Sequence, residues 1–498
     1  MSGYAQRELT WSTHTAQPSE VRGLPESERD ALIIKATHVD GQWVIISRYG
    51  DDIWELDGLN SNVQTNRKQL AFHTLPRAFR AVMKAILYRY LHSGRRGGGR
   101  PKGGGVLKCY TAALPFLRHL EALNLDHLGA VTPMVCATYV AACKAHVQTG
   151  RNQGKPLAQG ALQFRFSAVE ALYELSQYTD DPIPEHPWPE TSSTAMAGLT
   201  AQSANYYLQS RKTPLIPDDV FCILFERAYH QVECGNYLLD IRDELNAFSA
   251  QCKYQCRKAI RLAKNRKLES LGWKDGLREF LKAVNNLRIS SYIVLASTSG
   301  CRNHELAYVQ KGAYHQTQDD EGTSYHWMRS RSQKTDVGIH DWMIPEAGVQ
   351  ALHLMERWAA PYQTMIDEEI VERRRTNPHD PEIVEAYKHR QALFIGIVSK
   401  KDKEVRTVSN TNWNKELKAF AKNCGLSWDL TSHQFRRKFA NYVAHSRFGD
   451  LRYLKEHYAH WSIDMTLLYA MDENWGQHLD LELFDETQAE LKDGGCRS

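Results

Sequence analysis

The sequence lacks the features that would point to a membrane, a metal or an extracellular setting. No apolar run approaches the roughly 18 residues of a membrane span, and the first residues lack the apolar core of a secretory signal. The 10 cysteines include no C-x-x-C pair. Cys252 and Cys256 are four residues apart, but no second cysteine or histidine pair lies near them to complete a zinc site. We therefore expect a cytoplasmic protein with reduced thiols and without a metal or other cofactor.

An excess of charge of one sign is also missing. The chain has 62 basic and 58 acidic residues, a net charge of +4, which by itself does not identify a nucleic-acid partner. We find no fixed-period repeat, no carboxylate cluster with the spacing of a metal-dependent nuclease, and no phosphate loop. A length of 498 residues with 42% hydrophobic residues predicts two or three ordinary globular domains.

Hydrophobic periodicity predicts a mainly α fold with a small β-sheet or hairpin. Residues 42–58 predict a strand, a turn near Gly50 and a second strand or helix start. A helical stripe follows at 76–92, and a glycine-rich segment at 93–105 is predicted to break all regular structure. Residues 106–180 predict three amphipathic helices, which end at a proline-rich stretch.

Later in the chain, Pro217 and Asp218 are predicted to open a helix near the start of a second large domain. A charged helical stretch at 366–382 has no clear purpose.

Two groups of basic residues are candidates for contacts to DNA phosphates, with a solvated linker and an ordinary exposed helix face as the alternatives. They are Arg95, Arg96, Arg100 and Lys102 in the glycine-rich segment, and Lys253, Arg257, Arg261 and Lys264 on a predicted helical stripe.

The last third of the chain holds the residue types that an enzyme needs to attack a phosphodiester with a tyrosine. Fixed arginines hold the charged oxygens, a lysine and histidines move protons, and a phenol forms the covalent bond to phosphorus. Each residue type is common alone, so their order and local frames carry the inference. The candidates are Arg302 in T-S-G-C-R-N-H-E-L, Lys334 in S-Q-K-T, His433 and Arg436 in H-Q-F-R, and His460 and Tyr469 in A-H-W-S-I-D-M-T-L-L-Y.

Local patterns suggest how these side chains are presented. Arg302 follows an apolar helix that should end near Gly300, and Glu305 lies three residues on, where it can orient the guanidinium. Lys334 lies in a predicted β-hairpin. His433 and Arg436 are one helical turn apart, on a helix that Thr431 or Ser432 can cap. Taken singly, each has a structural alternative: a surface ion pair, a solubilising lysine, or a core tyrosine.

Taken together, these motifs resemble the tyrosine recombinase (phage integrase) family. The resemblance covers residues 213–475 well and 106–180 by general character, and it departs from the family in having Ala459 where glycine is common. It implies a helical core-binding domain ahead of a mixed α/β catalytic domain. The predicted division is 1–105, an N-terminal region of unknown role with the glycine-rich linker; 106–190, the helical DNA-binding domain; and 213–498, the catalytic domain with a C-terminal tail.

The resemblance implies a site-specific recombinase or integrase of a mobile genetic element. In this family Tyr469 would form a 3′-phosphotyrosyl intermediate, Arg302 and Arg436 would hold the phosphate with His460, and Lys334 would protonate the leaving oxygen. The implied partners are double-stranded DNA, three further copies in a homotetramer, and an accessory DNA-bending or directionality protein. A type IB topoisomerase and a catalytically inactive DNA-binding relative are the alternatives.

Overall fold

Helices dominate the computed structural model, and its strands form only short antiparallel sheets among the described residues. This architecture confirms the predicted mainly helical fold with a small β component. Within the described ranges, no helix is both long and apolar enough to cross a membrane. The structure describes residues 17–60, 62–63, 67–96, 98–199, 213–251, 256–332, 338–398, 404–445 and 457–458.

The chain forms two compact units, and a short segment of the later sequence belongs to the first of them. The N-terminal unit comprises Met1–Arg211 and Ile370–Glu385. The C-terminal unit comprises Lys212–Glu369 and Ala386–Ser498. The three functional domains expected from the sequence stay a prediction, because these units reflect compactness and not function.

The N-terminal unit combines two strand pairs with a group of helices. Asp40 and Gly41 both have positive φ angles of 45° and 90°, as a two-residue hairpin turn requires. The predicted strand, turn near Gly50 and second strand are all present. The elements are β1 Ile33–Val39, β2 Gln42–Arg48, β3 Ile53–Glu55, β4 Gln69–Ala71, α1 Glu26–Ala31, α2 Arg80–Ser93, α3 Gly103–Ala122, α4 Pro133–Ala145, α5 Gln159–Ser176 and α6 Ser193–Met196.

A buried aromatic cluster joins the strands of this unit to its helices. Phe72 is fully buried directly after β4. Its ring centroid lies 4.7 Å from that of Trp54 on β3 and 6.1 Å from that of Tyr110 on α3, both edge to face. Such pairs add to the free energy of burial, so this one ring couples the second strand pair to α3.

The glycine-rich segment is more regular than its composition predicts. The expectation that 93–105 breaks all regular structure is wrong at its end, because α3 begins at Gly103. The first helical turn has no intrahelical partners for its N–H groups, so glycine loses little there. Gly103 is also required by packing, since a Cβ at this position would lie 2.1 Å from the carbonyl oxygen of Asp57.

The C-terminal unit places its helices around a three-stranded sheet and a separate strand pair. Its first helix begins at Asp218 after Pro217, as predicted. The elements are α7 Asp218–Glu233, α8 Gly235–Ala250, α9 Arg257–Ser270, α10 Gly276–Ser299, α11 Asn303–Ala307, β5 Tyr314–Gln318, β6 Ser324–Ser332, β7 Gly338–Met343, α12 Glu346–Thr376, α13 Glu382–His389, β8 Ile395–Ile397, β9 Val405–Thr407, α14 Asn410–Asn423 and α15 Ser432–His445.

Helix α10 is the central helix of this unit. Its second half is almost completely buried and carries small serines at 290, 291, 297 and 299, which let α7 and α15 pack closely against it. Gly300 ends the helix in the left-handed conformation, with φ of 61°. The helix end predicted near Gly300 is therefore confirmed.

The predicted hairpin around Lys334 is also confirmed. Strands β6 and β7 pair antiparallel, from Trp327 opposite Met343 to Ser332 opposite Gly338. Residues 333–337, including Lys334, lie outside the described residues.

The charged stretch at 366–382 forms the end of α12, a short break, and the start of α13. Much of it belongs to the N-terminal unit. There, Nε and Nη2 of Arg374 donate to the carboxylate of Asp40 at 2.6 and 2.7 Å, and Lys68 contacts Glu385 at 3.1 Å. These contacts give the stretch a structural role.

Replacing Phe72 with alanine should lower the free energy of unfolding by about 3–5 kcal/mol, because it opens a cavity among the rings of Trp54 and Tyr110. Urea denaturation followed by circular dichroism measures the change. Phe164, which is 45% exposed, is the matched control, and Phe164→Ala should change the free energy by less than about 1 kcal/mol. Equal losses in the two variants would contradict the role of Phe72.

Candidate active site

A tight connection between α10 and α11 presents Arg302. After Gly300, Cys301 is buried, and Arg302 adopts an extended conformation as the residue that precedes α11. The backbone N–H of Arg302 donates to Oε2 of Glu305 at 2.6 Å. The carboxylate therefore caps the first turn of α11 and fixes the backbone of Arg302.

Glu305 is fully buried and gathers polar groups from several segments. Its Oε1 accepts hydrogen bonds from Nη1 of Arg302 at 2.6 Å and from the hydroxyl of Ser332 at 2.8 Å. Its Oε2 lies 3.8 Å from Nη1 of Arg436. The hydroxyl of Ser330 donates to its carbonyl oxygen at 2.5 Å. Strand β6 thus contacts Glu305 through two side chains on one face of the strand, Ser332 at the carboxylate and Ser330 at the backbone carbonyl.

Arg436 comes from the first turns of α15 and is fully buried. Nη1 donates to the carbonyl oxygen of Gly300 at 2.9 Å. Two neighbouring side chains fasten the helix, since Arg437 donates to the carbonyl oxygen of Thr213 and Lys438 pairs with Asp218.

Side chains of α15 itself and of the neighbouring helix α14 accept hydrogen bonds from the backbone N–H groups at the start of α15. The side-chain oxygen of Gln434 accepts from the N–H of Thr431 at 2.8 Å, and Asn414 on α14 accepts from the N–H of Ser432 at 3.1 Å. Thr431 precedes the helix and Ser432 is its first residue. Arg436 is therefore held on a fixed helix end.

The two arginines keep Glu305 ionised. Burial alone would raise the pKa of this carboxyl, but the charges of Arg436 and Arg302 hold the pKa below its usual value. Nε–H of Arg302 is buried and has no hydrogen-bond acceptor among the described residues. A buried donor of this kind calls for an acceptor, which an anionic oxygen would supply.

The buried imidazole of His457 lies near the charge of Arg436. His457 is buried, and its Nε2 donates to the carbonyl oxygen of Ser299 at 2.8 Å. Its own carbonyl oxygen lies 3.1 Å from Nε2 of His340. Burial lowers the pKa of His457 to about 4, and the neighbouring charge of Arg436 acts in the same direction. The imidazole is therefore neutral at pH 7.

The structure brings together three of the predicted site residues, Arg302, Glu305 and Arg436. His433 is exposed on the first turn of α15, one turn before Arg436. The other predicted catalytic residues lie outside the described residues, although Ser332 and Tyr458, which precede two of them by two positions, contact the site. Those outside are Lys334, His460 and Tyr469.

The basic residues predicted to bind DNA differ in their surroundings. In the glycine-rich segment, Nε of Arg95 contacts Glu174 at 2.8 Å, so its charge is already paired. Arg96, Arg100 and Lys102 are exposed.

The second basic group lies on and before α9. Arg261 is exposed and, with Arg278 and Lys282, lines a cavity of about 490 Å³. Lys264 is half-buried. Lys253 and the side chain of Arg257 lie outside the described residues. Contacts to DNA by either group stay a prediction.

Four residues of the site were not predicted from the sequence: Ser330, Ser332, His457 and Tyr458. The alternation of Ser330 and Ser332 on a strand that leads to Lys334 was the available signal for the first two. The position of His457 and Tyr458 directly before Ala459-His460 was the signal for the others.

No protein-family model matches the sequence, and no curated protein matches it. Among solved structures, the chain is similar to the XerH site-specific recombinase bound to a palindromic difH substrate, with a TM-score of 0.41, 12% identity, and coverage of 84% of this chain and 88% of that one. It is similar to XerA recombinase with a TM-score of 0.27, 14% identity, and coverage of 78% and 92%.

The chain is also similar to the Tn1549 transposon integrase in complex with transposon right-end DNA, with a TM-score of 0.34, 14% identity, and coverage of 83% and 99%.

Replacing Glu305 with glutamine should cost about 3–5 kcal/mol of stability at pH 7, because two buried guanidinium groups lose their shared counter-charge. Since folding lowers the pKa of Glu305, its contribution is present above the ordinary carboxyl pKa and is lost as the pH falls through the lowered value. The difference from wild type should therefore narrow below about pH 4.

Urea denaturation at several pH values measures both effects. The control is Glu279→Gln, since this exposed carboxylate pairs with Lys282 at 3.5 Å and should contribute less than about 1 kcal/mol. A Glu305→Gln variant as stable as this control at pH 7 would contradict the prediction.

Replacing His457 with glutamine should make the free energy of unfolding fall less steeply as the pH decreases. Folding lowers the pKa of His457 to about 4, so its contribution is complete above about pH 6.5 and is lost as the pH falls towards 4, at up to about 1.4 kcal/mol per pH unit. Glutamine can donate to the carbonyl oxygen of Ser299 without titrating. Thermal melts between pH 7 and 4 measure the slope, and exposed His230→Gln should follow wild type. Parallel curves for wild type and His457→Gln would show that His457 does not titrate as described.

Proposed function

We propose that this protein is a site-specific DNA recombinase or integrase that cleaves and rejoins DNA through a 3′-phosphotyrosyl intermediate. The observation that carries the proposal is the convergence of Arg302 and Arg436 on one buried carboxylate. Two fixed guanidinium groups from distant segments are what the binding of a phosphodiester requires.

In the proposed reaction, the hydroxyl oxygen of Tyr469 attacks the scissile phosphorus and the bond to the 5′ oxygen breaks. His433 accepts the tyrosine proton, and Lys334 gives a proton to the leaving 5′ oxygen. The exposure of His433 at the start of α15 supports a role in contact with substrate. Rejoining reverses these steps, so the phosphotyrosine link conserves the bond energy and no ATP is consumed.

The phosphate itself would be held by the arginines, with His460 as a further contact. Arg436 lies near the N-terminus of α15, where helix N–H groups favour an anion. The spare Nε–H of Arg302 gives a second donor. Developing charge on the phosphorus oxygens meets groups that are already oriented, which is the main source of such catalysis.

The resemblance of the motifs to the tyrosine recombinase family further supports double-stranded DNA as substrate, a homotetramer on two duplexes, and a mobile genetic element as the setting in the cytoplasm or nucleoid. An accessory DNA-bending or directionality protein is part of the same proposal. The helical region 106–190 would then be a DNA-binding domain of the protein.

Cells that express the protein should contain covalent protein–DNA adducts that depend on Tyr469. DNA attached to the denatured protein is recovered and sequenced for wild type, Tyr469→Phe and Tyr442→Phe. Tyr442 is the control because it is 72% exposed on the helix that carries Arg436. We expect adducts at a few defined sequences from wild type and Tyr442→Phe, and none from Tyr469→Phe.

Other outcomes contradict the proposal in different ways. Tyr469-dependent adducts scattered without sequence preference would identify a type IB topoisomerase-like enzyme. DNA binding in mobility shifts without any adduct from wild type would identify a catalytically inactive relative.

A further inference from the structure

Tyr458 contacts Arg436 in three ways. The centroid of its ring lies 3.5 Å from Cζ of the guanidinium. Its hydroxyl donates to the carbonyl oxygen of Arg436 at 2.7 Å, and its own carbonyl oxygen accepts from Nη2 of Arg436 at 3.4 Å. Tyr458 is 1% exposed. The ring, the hydroxyl and the backbone carbonyl of Tyr458 therefore all contact Arg436.

The contact with Tyr458 orients the guanidinium of Arg436 as well as packing against it. A guanidinium stacked on an aromatic face is attracted by the ring, and the stacking fixes the plane in which its N–H groups donate. With Nη1 donating to Gly300, the ring leaves the guanidinium little freedom to rotate. An aliphatic side chain of similar size would supply the apolar volume without this orientation.

Gly300 shows that the fold makes room for this phenol. A Cβ at Gly300 would lie 2.4 Å from the hydroxyl oxygen of Tyr458 and 2.8 Å from a ring carbon. Gly300, two residues before Arg302, is thus in direct contact with the ring and hydroxyl of Tyr458. The contact links the segments of both arginines.

The same contacts argue against Tyr458 as a nucleophile. Its hydroxyl is buried and is committed to the carbonyl oxygen of Arg436. A phenol in this position cannot reach a phosphorus atom outside the fold without breaking that bond.

We propose that Tyr458 is a positioning residue, which fixes the guanidinium of Arg436 for the phosphate of the transition state. This inference rests on the proposed function. Because it acts through Arg436, the loss of Tyr458 should slow DNA cleavage far more than it weakens DNA binding.

The test uses the full-length protein and a nicked duplex that carries a sequence recovered from the wild-type adducts. Single-turnover cleavage gives the rate, and a mobility shift on the same duplex gives the affinity. Tyr458→Leu should cleave about 100-fold more slowly, with an affinity within about threefold of wild type. Tyr458→Phe keeps the ring and should lose no more than about tenfold in rate.

A double-mutant cycle identifies the route of the effect. Once Arg436→Lys has removed the planar guanidinium, Tyr458→Leu should cause little further loss of rate, because both changes remove the same interaction. Tyr88→Phe is the matched control for a lost buried hydroxyl, since Tyr88 donates to the carbonyl oxygen of Pro18 at 2.8 Å. It should lower the melting temperature as much as Tyr458→Phe does without changing the cleavage rate.

The outcomes separate this inference from the proposed function. If wild type cleaves and Tyr458→Leu cleaves equally fast, or if the rate losses of Tyr458→Leu and Arg436→Lys are additive, the positioning role is wrong and the recombinase proposal stands. If Tyr458→Leu does not fold, Tyr458→Phe tests the inference instead. Its single-turnover cleavage rate must then be lower than that of Tyr88→Phe, and equal rates would show that the positioning role is wrong. A wild type without Tyr469-dependent cleavage overturns both proposals.

Discussion

The shared ion pair of Glu305 with Arg302 and Arg436 is the interaction on which the C-terminal unit depends most. A buried carboxylate costs several kcal/mol unless charges and hydrogen bonds compensate it. Here the compensation comes from the N–H and guanidinium of Arg302, from a hydroxyl of β6 and from the charge of Arg436. Each partner lies on a different element, so the pairing of one charge fixes the positions of four segments.

The burial of this charge also explains otherwise unrelated features. The end of α10 must turn sharply for Arg302 to reach Glu305, and Gly300 provides that turn with a positive φ. Strand β6 must face Glu305 with small hydroxyl side chains, and it does so with Ser332 at the carboxylate and Ser330 at the backbone carbonyl. Larger residues there would separate the hairpin from α11. Stability and site geometry are therefore properties of the same contacts.

The sequence predicted those parts of the site that depend on local geometry. The helix end at Gly300, the link from Arg302 to Glu305 and the shared helix of His433 and Arg436 follow from spacing along the chain. It did not predict Tyr458 beside Arg436, because that contact joins residues 22 positions apart through tertiary packing. Nor did it predict the helix start at Gly103, where close approach to Asp57 outweighs the low helix propensity of glycine.

The net charge of the site bears on how the proposed reaction could proceed. Two arginines and one ionised glutamate leave a single positive charge among Arg302, Arg436 and Glu305. One phosphodiester would neutralise that charge, so binding would not require the low-dielectric interior to hold an excess of either sign. The transition state carries additional negative charge as the tyrosine oxygen approaches phosphorus. The proposed mechanism therefore adds Lys334, which gives a proton to the leaving oxygen, and His460, which contacts the phosphate. The buried arginines and the residues around them would thus stabilise the transition state together, with the orientation of the arginines set by the fold.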